Sequence, residues 1–270
     1  MNSKIVRPSY PEGAPKNYFL RSVPGCKRSL RPLVSSGRTR QFLMLALPLA
    51  LAVPSLVTAR EAKTSYPAMA PIDRYMMADR NAEVALARSA APEAISRDAT
   101  VLVLGKNGYE TVVEGKNGFT CLVERSWMSP FDSPEFWNPK IRGPICYNPP
   151  AVRTILPYTL YRTKLVLEGA PKEEMHQRIV AAVTKGELSA PEVGAMSYMM
   201  AKNQYLGDFG GHWHPHLMFH LPKTDGATWG ANLPGSPVVF NSESTDVPEP
   251  EIIFMVPVAR WSDGTEMGKM

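Results

Sequence analysis

Apolar and polar positions repeat along the chain with two periods, and the points where the period changes outline its elements. Thr100–Leu104, Tyr109–Val113 and Phe119–Val123 are short runs rich in β-branched and aromatic residues. Two copies of Gly-Lys-Asn-Gly separate them, at 105–108 and 115–118. Asn-Gly supplies the positive-φ residues of tight hairpins, so the pattern predicts a three-stranded antiparallel meander. The two copies are too local to mark a solenoid.

Helical spacing predicts the remaining order. From Ile72 to Arg88 the residues are good helix formers, and Ile72, Tyr75, Met76, Ala82 and Leu86 fall near one face. Asp79 and Glu83 interrupt that face. A second helix opens at Pro171, carries Met175, Ile179, Val180 and Val183 on one side, and closes at Lys185-Gly186. Ser189-Ala190-Pro191-Glu192 has capping-box spacing and predicts a third helix reaching about Gln204. Its Met196, Met199 and Met200 read as core filler and not as copper ligands. Thr159–Glu168 reads as a strand, as do His212–Leu221, Pro237–Phe240 and Glu251–Val258. Residues 126–157 are dense in proline and aromatics, a composition expected of an ordered but irregular segment, because a Pro-stiffened backbone loses less entropy on packing. The sum is an α+β fold in a single domain over residues 60–270: an antiparallel β-meander, further strands, and two to three packed helices.

Charge separates the N-terminus from this domain. Residues 1–41 hold nine Lys/Arg and one acid, Glu12, for +8. The whole chain carries +5, so everything after residue 41 sums to −3. The basic pI belongs to the leader, and a nucleic-acid partner for the rest loses its support. An uncharged run, Phe42–Val57, follows and ends in Val57-Thr58-Ala59. A basic segment, a short apolar segment and small residues at −3 and −1 are the parts of a secretory signal, with cleavage after Ala59. The competing reading, an uncleaved membrane anchor, needs a run of roughly 20 apolar residues and suffers from Pro48 and Pro54. Arg38-Thr39-Arg40-Gln41-Phe42-Leu43 resembles a twin-arginine export signal, with Thr39 standing where the first Arg of the adjacent pair belongs.

Export changes the reading of the cysteines. Cys26 leaves with the leader, so Cys121 and Cys146 remain, and two cysteines in an oxidising compartment are expected to pair.

Four of the five histidines fall in Gly211-His212-Trp213-His214-Pro215-His216-Leu217-Met218-Phe219-His220-Leu221. On a strand, His212, His214, His216 and His220 share one face, and Trp213, Leu217 and Phe219 the other. The second face is expected in the core and the first in a polar cleft. Histidines at i and i+2 project in parallel and can converge on a divalent transition metal such as zinc or copper. His212 to His220 spans roughly 26 Å at about 3.3 Å per residue, so one ion cannot use all four. A third ligand would come from Asp208, Glu192 or His176. The alternative is a half-exposed strand whose imidazoles bond to backbone, carboxylates or water. No nucleophile elbow, His-Glu-x-x-His helix, phosphate loop or dinucleotide fingerprint occurs.

Two functional classes follow: an exported domain that binds a small ligand or an envelope protein without catalysis, and a metal-binding protein or metal-dependent hydrolase or oxidase centred on the histidine strand. The leader makes the first prediction. Mass spectrometry of the protein from its host is expected to find an N-terminus at Arg60; an intact Met1 on a cytosolic species would end the export reading.

Overall fold

Strand pairing organises the chain around one open sheet of mixed direction. In a computed structural model, residues 66–208, 213–240 and 247–268 are described. The leader, the Ala59 cleavage point and His212 lie outside the described residues. Arg60–Met270 clusters as one unit. Its strands are β1 (Thr100–Gly105), β2 (Gly108–Val113), β3 (Thr120–Glu124), β4 (Gly143–Tyr147), β5 (Met196–Met199), β6 (His216–Pro222), β7 (Val239–Phe240) and β8 (Glu251–Pro257). They lie in the order β2-β1-β3-β4-β5-β6-β8-β7. The helices are α1 (Arg80–Arg88), α2 (Glu93–Ser96), α3 (Pro149–Thr154), α4 (Leu156–Leu167) and α5 (Lys172–Thr184). The class is α+β, as the periodicities predict. Among the described residues no helix is long and apolar enough to cross a membrane.

The two Gly-Lys-Asn-Gly copies do different things, which corrects the expected meander. The first closes a hairpin with Gly105 opposite Gly108, and the positive φ falls on Gly108 at +118°. The second crosses the end of β1. Lys116 N donates to Asp98 O at 2.9 Å, and a Cβ on Gly115 would sit 2.1 Å from Thr100 N. That close approach, open only to glycine, carries the chain past β1, so β3 pairs parallel to β1 on the side away from β2.

Two further expectations are overturned by packing. Thr159–Glu168 belongs to a helix, α4, with Pro157 in its first turn. Its buried face includes Tyr158, Thr159, Arg162, Thr163 and Val166, so polar side chains inside the core disguised a helical stripe. Ser189–Gln204 is not a helix. Glu192 is drawn into a bidentate pair with Arg153 at 2.8 and 2.9 Å, and Met196–Met199 is captured as β5 between β4 and β6. Helix α5 matches its prediction, although Val180 is exposed.

The acids that interrupted the first predicted helix each have a task. Asp79 caps α1 by accepting from Asn81 N and Ala82 N at 2.8 and 3.2 Å, so the helix starts there and Ile72–Arg74 is a separate turn. Glu83 is buried against Arg125 at 2.7 Å, and Arg125 Nε donates to Tyr75 O at 2.7 Å. Removing one partner of such a pair costs about 3–5 kcal/mol, because the other is left charged and dry.

The sheet buries both faces where helices cover it. Val101, Cys121, Val123 and Cys146 pack with Ala87 of α1 and with Ala90 and Ala91 just past its end. Leu102, Leu122, Ile145 and Tyr147 point the other way, toward Ala151, Ile155 and Leu156. The Pro- and aromatic-rich segment is ordered, with Trp127, Phe131, Phe136 and Trp137 buried beside Leu165 of α4 and Met175 and Ile179 of α5. It is not irregular throughout, because β4, α3 and the start of α4 fall within residues 126–157. Trp127 Nε1 donates to Thr163 Oγ1 at 3.0 Å, satisfying the indole.

Cys121 and Cys146 stand opposite each other on β3 and β4 and are bonded, with Cα atoms 4.0 Å apart. The bridge closes a loop of 25 residues that contains most of the aromatic segment. Replacing both cysteines with alanine is expected to lower unfolding stability by roughly 3 kcal/mol, read as a reduced urea midpoint; an unchanged midpoint would show that the bridge adds nothing.

Candidate functional site

Alternation along five neighbouring strands places one set of side chains beneath α4. Leu122 registers with Ile145, Tyr147 with Ser197, Ser197 with Met218, and Met218 with Met255. Two residues along from members of this row come Glu124, Met199, His220 and Ile253, on the same face. With Ile155, Tyr158 and Arg162 from the helical layer and Glu249 and Glu251 at the entry to β8, they line a cavity of about 200 Å³.

Its walls are apolar side chains held apart by buried charge. Arg162 Nε and Nη2 donate to Glu249 Oε1 and Oε2 at 2.7 and 2.8 Å, with both side chains 3 % exposed. Arg162 Nη1 donates to Trp127 O and Ser129 O, each at 2.8 Å. The guanidinium also lies 4.6 Å from the Phe131 ring centre. One residue thus joins α4, the turn after β3 and the approach to β8.

A second network runs across β5, β6 and β8. Ser197 Oγ lies 3.0 Å from His220 Nε2, and His220 Nδ1 lies 3.0 Å from Glu251 Oε2. Ser-His-Glu in this order is the connectivity of a nucleophilic triad. Ser197 is fully buried and does not line the cavity, however, so its hydroxyl does not open into it. What the network does is occupy both nitrogens of a buried imidazole and fix its plane.

Glu124 forms the third group. Its Oε1 accepts from Tyr147 OH and from Thr159 Oγ1, the latter at 3.1 Å. Burial pushes the Glu124 carboxyl above the usual carboxylate range, opposed by those two hydroxyls and, through space, by His220 and Arg162. Burial and the adjacent Glu124 charge raise the Tyr147 phenol well above its ordinary value, which keeps it a donor.

The histidine strand is turned over relative to its prediction. Strand β6 begins at His216, and His216, Met218 and His220 are buried while Phe219 is 39 % exposed and Trp213 and Leu217 are half-buried. The reason is cover. Helix α1 packs on β1, β3 and β4 and leaves the odd-numbered face of β6 outside its reach, whereas α4 and the lead-in to β8 enclose the even-numbered face. His220 tolerates burial because Ser197 and Glu251 satisfy it.

Among the described residues, the proposed ligands are each engaged elsewhere. His214 Nδ1 lies 2.9 Å from Met267 Sδ, and His216 Nδ1 bonds to His214 O at 2.7 Å. The His214 and His216 rings pack on Trp213, with centroids 5.8 and 4.6 Å away. Burial lowers the basicity of His216. Asp208 is exposed, held by Tyr205, Tyr66 and Lys140, and its carboxyl is pulled down to about 2, first by the Tyr205 hydroxyl. Glu192 is on Arg153, and the His176 ring packs edge-on to Phe131 at 5.2 Å. Among the described residues no group of three or more His, Cys, Asp or Glu is placed to hold a metal ion.

Of the cavity's polar residues, the histidine pattern pointed only to His220. Glu124, Tyr147, Arg162, Glu249 and Glu251 escaped it. The available signal was charge inside otherwise apolar runs, as in Thr120-Cys-Leu-Val-Glu124 and Glu251-Ile-Ile-Phe-Met. The chain matches no protein family, and no curated protein or solved structure is similar to it.

The Arg162–Glu249 pair gives a stability test. Arg162→Met is expected to cost about 3–5 kcal/mol, because it strands a buried carboxylate, while Arg162→Met with Glu249→Leu should recover most of that loss. Urea unfolding of the two variants measures both; equal destabilisation would place the cost in packing and not in charge.

Proposed function

We propose that this is an exported, non-catalytic domain that binds a small ligand in the cavity between α4 and the sheet. The observation that carries the reading is the cavity itself. It combines apolar walls with a few convergent polar groups, the composition of a small-molecule site. At about 200 Å³ it exceeds the ~150 Å³ engineered apolar cavity that accommodates benzene. The paired cysteines and the N-terminal charge jump support export to an oxidising compartment. An activity needs a reactive group that meets the ligand. Ser197 does not line the cavity, so the Ser197–His220–Glu251 network presents no nucleophile to a ligand there.

Methyl-labelled NMR of Met128, Met199 and Met218, three reporters in the cavity wall, tests the reading. Small fragments of up to about ten heavy atoms are expected to shift these signals. Ile253→Phe, which fills the cavity from β8, should abolish the shifts without lowering the melting temperature. Hits that move only surface residues, or that bind the filled variant equally well, would overturn the proposal.

A further inference from the structure

We infer that the cavity's ligand is a small organic cation, an ammonium on an apolar or aromatic body, with its charge placed at Glu124. The inference rests on the ligand-binding reading above and adds the chemical class. Three carboxylates line the cavity, Glu124, Glu249 and Glu251, against one guanidinium and one imidazole. The pairing is uneven. Glu249 has both oxygens on Arg162, and Glu251 has His220. Glu124 has only two neutral hydroxyls, both on Oε1, and no cation pairs with it among the described residues. It therefore has acceptor capacity left and no counter-charge in contact.

The other ligand classes fit less well. An anion needs a donor with charge to spare, and Arg162 already spends four N–H bonds on Glu249, Trp127 O and Ser129 O. A bare metal ion needs three or more hard or nitrogen ligands around one point, and the described residues provide no such group. An ammonium needs one carboxylate oxygen and tolerates apolar surroundings for the rest of its body. Ile145, Ile155, Met199, Met218 and Ile253 supply those surroundings. The Tyr147 and Tyr158 rings at the wall add faces on which a cation is attracted.

The test is a charge series on one shape: benzylamine, benzyl alcohol and benzoate, titrated into the full mature chain at neutral pH with the methionine methyl signals as readout. Benzylamine is expected to bind at least about tenfold tighter than benzyl alcohol, as a charge-assisted hydrogen bond implies. Benzoate should bind least. Glu124→Gln should bring benzylamine down to the affinity that benzyl alcohol has for the same variant. Equal binding of amine and alcohol, or a preference for benzoate, overturns the cation inference while the cavity reading stands. Silence from all three overturns both. If Glu124→Gln does not fold, the wild-type series decides alone.

Discussion

The buried Arg162–Glu249 pair is the constraint on which the rest of the arrangement depends. A guanidinium in the interior is tolerable only if its charge is matched and its donors are satisfied, and here those demands are met by three different stretches of chain. Helix α4 supplies the arginine, the turn after β3 supplies two carbonyls, and the lead-in to β8 supplies the carboxylate. Once the pair forms, α4 cannot slide along the sheet, and β8 enters beside β6 at a fixed height. The pair contributes little net stability compared with apolar residues of the same volume. What it does is tie three separate stretches of chain to one point.

The cavity is a consequence of the same constraint. Charged groups and the apolar side chains Met199, Met218, Ile253 and Tyr158 line it together. His220 is held on both sides, by Ser197 and Glu251, so it forms a rigid wall. Glu124 differs from its neighbours: it is enclosed by protein, bonded only by hydroxyls, and raised by burial toward its neutral form. A ligand that brings its own positive charge would reverse that shift, and proton release on binding is the natural signature of such a site.

The opposite face carries the protein's scaffold. Ala87 of α1 and the alanines just past it, the buried Glu83–Arg125 pair and the Cys121–Cys146 bridge fix β3 and β4 from that side. The bridge also shortens the excursion of the aromatic segment, whose rings pack into one core with α4 and α5. Thus β3 sends Glu124 into the cavity and, one residue later, Arg125 into the ion pair with Glu83. Strand alternation alone separates the two roles.

The sequence by itself determined the α+β class, the β1–β2 hairpin, helix α5, the order of the aromatic segment and the pairing of the cysteines, because each rests on local periodicity, turn chemistry or elimination. Tertiary structure decided the rest. It sent the second Gly-Lys-Asn-Gly across β1, since only contact shows that Gly115 must meet the Thr100 backbone. It made a helix of α4 and a strand of β5, where buried polar residues and sheet pairing outweighed propensity. It also chose which face of β6 is inside. Alternation defines two faces but cannot say which one a helix will cover, and that choice buried His216 and His220 and made His220 part of the wall of a cavity whose other charged groups lie far apart in the chain.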